Sequence, residues 1–116
     1  MARIPSNNAF VAQADKFADL SAVTITSITT VISPSASDKT VRLLGGTISV
    51  SAAVSVLFED NAGGTTVFRT PKLQADTPYT FSLGTRGQPL TAANRVLKAT
   101  SSAAATITGT LYYTED

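Results

Sequence analysis

The period of the apolar residues constrains this chain most: from Ala22 onward it is two, the repeat of a strand and not of a helix. Successive side chains on a strand point to opposite faces, so apolar residues alternating with Thr or Ser give one buried face and one wet face. Val23 and Ile25 alternate with Thr24 and Thr26, Ile28 and Ile32 extend the segment, and Ser33-Pro34-Ser35-Ala36-Ser37-Asp38 ends it in a turn. Val41 and Leu43 alternate as far as Gly45-Gly46, and Ile48 and Val50 resume beyond them, so the Gly pair marks a bulge, a bend or a turn. Val54, Val56 and Phe58 lead into Glu59-Asp60-Asn61-Ala62-Gly63-Gly64, a hairpin loop with residues suited to positive φ, and Thr65 to Arg69 is the return strand. Pro71 and Pro78 bracket a connection, after which Tyr79, Phe81 and Leu83 alternate until Gly84-Thr85-Arg86-Gly87-Gln88-Pro89 interrupts them. Arg95 to Ala99 and Ala105 to Tyr113 complete the set, the latter with Ala105, Ile107, Gly109, Leu111 and Tyr113 on one face.

Seven or eight short strands with turns rich in Gly, Pro, Asn and Asp predict an all-β fold, an antiparallel β-sandwich or jelly roll. The alternation places Val23, Ile25, Val41, Leu43, Ile48, Val50, Val56, Phe58, Phe81, Leu83, Val96, Ile107 and Leu111 inside. Residues 1–20 follow another pattern. Phe10, Ala14, Phe17 and Leu20 stand at helix-like spacing, with Asp15, Lys16 and Asp19 on the other side, which fits a short amphipathic helix or an extended arm. The segment is too short to make a core of its own and is expected to dock on something. The expected division is therefore an N-terminal arm or short helix over 1–20 and a sandwich domain over 21–116.

Composition decides against several functions. The chain holds no Cys, His or Trp, which removes the common thiol nucleophile, the side chain that titrates near neutral pH and the usual transition-metal ligands. Charged residues are 15% of 116 and the net charge is +1, with no basic cluster to neutralise phosphates, so nucleic acid is not an expected partner. No apolar run approaches the roughly 20 residues needed to cross a bilayer, and MARIPSNNAF lacks the cationic-then-apolar pattern of an export signal, so no membrane contact is expected.

The local motifs have structural readings. Glu59-Asp60 and Glu115-Asp116 are neighbours in strand-like sequence, and neighbours on a strand face apart, so neither is a ready acid and base couple. Glu59, Asp60 and Asn61 offer oxygen ligands to Ca²⁺ at a loop tip, but the EF-hand spacing is absent and the run is turn-forming. Gly84-Thr85-Arg86-Gly87 lacks the Lys-Ser/Thr of a phosphate loop and reads as a bent loop, with Arg86 as a contact candidate. Tyr112 and Tyr113 place aromatic groups on both faces of the last strand, one for the core and one for a contact or for stacking on a sugar. No catalytic residue, cofactor site or metal site is predicted, and the expected partner-binding residues are Phe10, Phe17, Leu20 and Arg86.

From about Leu44 to the end, the LGGTISVSAAVSVLFEDNAGGTTVFRTPKL region and the closing GQPLTAANRVLKATSSAAATITGTLYYTED resemble small β-sandwich structural proteins of tailed bacteriophage virions. The ending carries most of the likeness: a Gly-x-Pro-Leu loop, a short strand through Val96 and Leu97, a Ser/Ala-rich turn, then Ala-x-Ile-x-Gly-x-Leu-x-Tyr-x-Glu. The resemblance implies a head decoration or capsid-stabilising protein, often a homotrimer, seated on the outer surface of the shell. Its partners would then be its own copies and the major capsid protein, and it would be made in the host cytoplasm. A neck, tail or fibre component, or a carbohydrate- or receptor-binding module, is the alternative. The resemblance transfers no catalytic motif.

Overall fold

The structure, a computed structural model, describes residues 16–60, 65–84 and 86–116. Among the described residues there are nine strands: β1 (Lys16–Thr24), β2 (Thr29–Ile32), β3 (Val41–Val50), β4 (Val56–Asp60), β5 (Thr65–Arg69), β6 (Tyr79–Ser82), β7 (Gln88–Pro89), β8 (Leu97–Ser101) and β9 (Thr106–Glu115). The first sheet runs β1-β9-β3-β6 with β7 also on β3, and the second runs β2-β8-β4-β5. All strand pairs are antiparallel.

β6 pairs with Gly45–Ile48 and β7 with Arg42 and Leu43, so the two lie end to end along the same edge of β3. Taken as one interrupted strand, they reduce the nine strands to the eight of a jelly roll, whose chain passes back and forth between the sheets in this order. The alternative between a plain sandwich and a jelly roll is thereby resolved.

The two inner faces meet in one core that includes Ile25, Val41, Leu43, Ile48, Val50, Val54, Val56, Phe58, Leu97, Ile107 and Leu111. Phe81, on the edge strand β6, joins the two sheets, stacked on Phe68 at 4.6 Å and tilted against Phe58 at 5.8 Å. Val23 and Leu83 are half-buried and pack on the rim of this core. Val96 does not belong to it: the alternation runs through Leu97 and Ala99, which are fully buried. The reason is Lys98, since a register that turned Val96 inward would also bury the ammonium of Lys98.

The N-terminal pattern is corrected where it can be seen. Lys16 to Leu20 are not helical but form the first half of β1, paired to β9 from Lys16 against Tyr113. The expected boundary at residue 20 therefore falls inside a strand, and residues 16–20 belong to the sandwich. A one-residue bulge at Ser21 and Ala22 lets the strand turn its apolar side back to the core, with Ala22 at φ 50° and its N–H donating to Thr108 Oγ1.

The Gly45-Gly46 signal is a bulge at Leu44 within a continuous β3. Leu44 is buried but stands apart from the central core, with Gly87 packed against it. Leu83 N–H donates to the Leu44 carbonyl, and Gly87 at φ +64° sits so close that an added Cβ would be 2.5 Å from both the Leu43 carbonyl oxygen and Leu44 Cδ2.

Candidate functional site

The four expected contact residues separate. Phe10 lies outside the described residues. Phe17 and Leu20, three apart, would share a face of a helix, but on β1 they point to opposite sides of the sheet. Leu20 is 7% exposed and belongs to the core, which removes it as a contact residue, whereas Phe17 is 54% exposed on the outer face. Arg86 is exposed between β6 and β7, and its carbonyl accepts a hydrogen bond from Arg42 Nη1 at 2.9 Å.

What the structure assembles around Phe17 is the outer face of the first sheet, and strand register defines it. One row runs Phe17, Tyr112, Gly45, Ser82 across β1, β9, β3 and β6, and the next runs Asp19, Thr110, Thr47, Thr80. The Phe17 and Tyr112 rings meet edge to face, 5.4 Å apart at 89°. In the second row Thr110 Oγ1 donates to Asp19 Oδ1 at 3.0 Å, and the Thr47 and Thr80 hydroxyls are 3.0 Å apart. Ser49 and Thr108 form a third, shorter row. Tyr113, adjacent to Tyr112, packs on the core instead, as does Tyr79.

Apart from Asp19, the charged side chains at this face lie at its end. Arg42 donates through Nε and Nη2 to Asp116 Oδ2 at 2.9 and 2.6 Å, a two-nitrogen pairing that consumes both charges. Beside it the Glu115 side chain, 4% exposed, accepts the Ser35 hydroxyl at 2.7 Å and the Ser35 N–H at 2.6 Å, with Lys16 Nζ at 3.5 Å. The Ser35 hydroxyl and then its N–H hold the Glu115 carboxyl below the ordinary 4.5, outweighing burial, and Lys16 adds to the effect. This clasp ties the start of β1 and the turn after β2 to the end of β9.

Asp60 of the Glu59-Asp60 pair has a structural role. Asp60, 1% exposed at the end of β4, takes the N–H and hydroxyl of Thr91 on Oδ2 and faces Arg95 Nη1 at 3.6 Å with Oδ1, so it anchors the loop before β8. Among the described residues no group of three or more acidic, Cys or His side chains is placed to hold a metal. On the second sheet, Ser55, Leu57, Arg69, Thr100, Ser101 and Ser102 line an open, shallow depression. No helix among the described residues is long and apolar enough to cross a membrane.

Two features escaped the sequence reading. Ile28, expected to continue a strand, is 56% exposed in the link between the two sheets, one residue before β2. The hydroxyl row is invisible in a chain where Thr is common, because its members come from four strands far apart in sequence. Comparison with protein-family models, curated proteins and solved structures finds no match to this chain.

Proposed function

We propose that this chain is a virion structural protein, a head decoration protein of tailed bacteriophage type that binds the assembled capsid shell as a homotrimer and stabilises it. The observation that carries the reading is the jelly-roll strand order with an apolar residue exposed beside an open edge. Jelly rolls recur in shell-forming proteins, and a sheet edge offers unpaired backbone groups that a neighbouring copy covers. Among the described residues β2 is such an edge, paired only to β8, and Ile28 stands at its start. The resemblance of the sequence from Leu44 onward to phage virion proteins supports the same reading.

In this account a closed ring of three copies buries Ile28 at the subunit contact. The residues before β1, with Phe10, engage the shell. Three such attachments on one trimer act together, so weak single contacts give firm attachment. Because the protein binds the assembled shell and not its parts, it favours assembly by mass action. The test is co-sedimentation of the full chain with assembled shells of its virion. Wild type pellets with the shells, and Phe10→Asp remains in the supernatant with an unchanged circular dichroism spectrum. Equal pelleting of the two proteins contradicts the role given to Phe10, and no pelleting of wild type contradicts the reading as a whole.

A further inference from the structure

We infer that the outer face of the first sheet is a binding platform for a neutral glycan, stacked on Phe17 and hydrogen-bonded along the Asp19, Thr110, Thr47, Thr80 row. The inference uses neither the trimer contact nor the shell attachment and stands independently of the virion reading.

Four observations on this face favour that occupant. Hydroxyl groups both donate and accept, as sugar hydroxyls do, and the row presents three threonine hydroxyls with one carboxylate. Thr110 occupies Asp19 Oδ1, which leaves Oδ2 as an acceptor toward solvent on an exposed residue. Second, the face carries an exposed aromatic ring, and an aromatic surface stacks on the C–H side of a sugar while polar neighbours fix its orientation. Tyr112 props that ring from the side, so its position does not depend on the ligand.

Third, the face carries little net charge. Arg42 is matched by Asp116, and Asp19 is the single carboxylate of the two rows, so the face has neither the cationic character a polyanion needs nor the apolar extent of a subunit contact. Fourth, the platform is preorganised: its side chains project from registered strands, not from loops, and ordering them costs little on binding. The row crosses four strands, about 14 Å at roughly 4.8 Å per step, which suits a short oligosaccharide.

The experiment is native affinity electrophoresis of the full chain in gels containing dextran, laminarin or galactomannan, with alginate as an anionic control. Retardation by at least one of the three neutral polysaccharides is expected, weakened about tenfold by Phe17→Ala. Asp19→Asn is expected to weaken it as well, and Ile28→Asp to leave it unchanged. Thermal melting of each variant separates lost binding from lost fold, and Thr80→Val supplies a second probe of the row should Phe17→Ala melt early. Absence of retardation by all three neutral polysaccharides overturns the inference, as does equal retardation of wild type and Phe17→Ala. Retardation by alginate alone shows a charge effect and also overturns it. A native mass that falls on Phe17→Ala shows that the face is a subunit contact, with the same consequence.

Discussion

The two faces of the first sheet are made by the same strands in the same register, yet they obey different rules. Toward the core the rows read Ala18, Leu111, Gly46, Phe81 and Leu20, Gly109, Ile48, Tyr79; toward the outside they read Phe17, Tyr112, Gly45, Ser82 and Asp19, Thr110, Thr47, Thr80. The inner rows are fixed by volume: large residues face glycines, and close packing leaves little freedom. The outer rows carry no such constraint, so what stands there is open to be set by a partner. The fold is held by one face, and the other is the candidate for function.

Substitutions on β9 break this contrast most sharply. Gly109 lies at φ +149°, and an added Cβ would be 2.1 Å from the Thr47 carbonyl oxygen. Gly109→Ala is therefore expected to have the largest effect, a loss of about 3 kcal/mol or more in urea unfolding. Leu111→Ala empties a fully buried site and is expected to cost about 2–5 kcal/mol in the same measurement. Equal stability of Leu111→Ala and wild type would erase the distinction between the faces. Thr110→Val, next in the chain and on the opposite face, is expected to change stability by less than about 1 kcal/mol while removing the donor to Asp19.

The clasp at the end of the sheet sharpens the comparison through pH. The Glu115 carboxyl is held below its ordinary value in the folded state, so the unfolded chain takes up the proton first as pH falls. The stabilisation is complete above the ordinary 4.5 and is lost as pH drops through the lower folded value. Wild type is expected to lose melting temperature between pH 5 and pH 3 more steeply than Glu115→Gln, and parallel profiles would show that the clasp contributes nothing. This effect is the smallest expected, since the clasp sits at the rim of the fold.

How much was legible in the sequence follows the same division. Alternation revealed the inner face, because burial selects apolar residues at every second position: Ile107, Leu111 and Tyr113 on β9 and Ile48 and Val50 on β3 all lie where the period puts them. It failed where two periods compete over a short stretch. Phe17 and Leu20 satisfy helix spacing, but Ala18 and Leu20 satisfy strand spacing equally, and pairing with β9 decides between them. Val96 and Leu97 posed the same ambiguity, decided by Lys98. The outer rows were not legible at all, since Asp19 and Thr80 become neighbours of the same row only through β9 and β3, and a linear sequence holds no record of register.

In the proposed assembly the open edge at β2 is a contact between copies. Native mass by light scattering after size exclusion tests it most directly. Wild type is expected to run at three times the 12.0 kDa of one chain, and Ile28→Asp to run as a single chain with an unchanged circular dichroism spectrum. A wild-type protein that remains at the mass of one chain at micromolar concentration would contradict it.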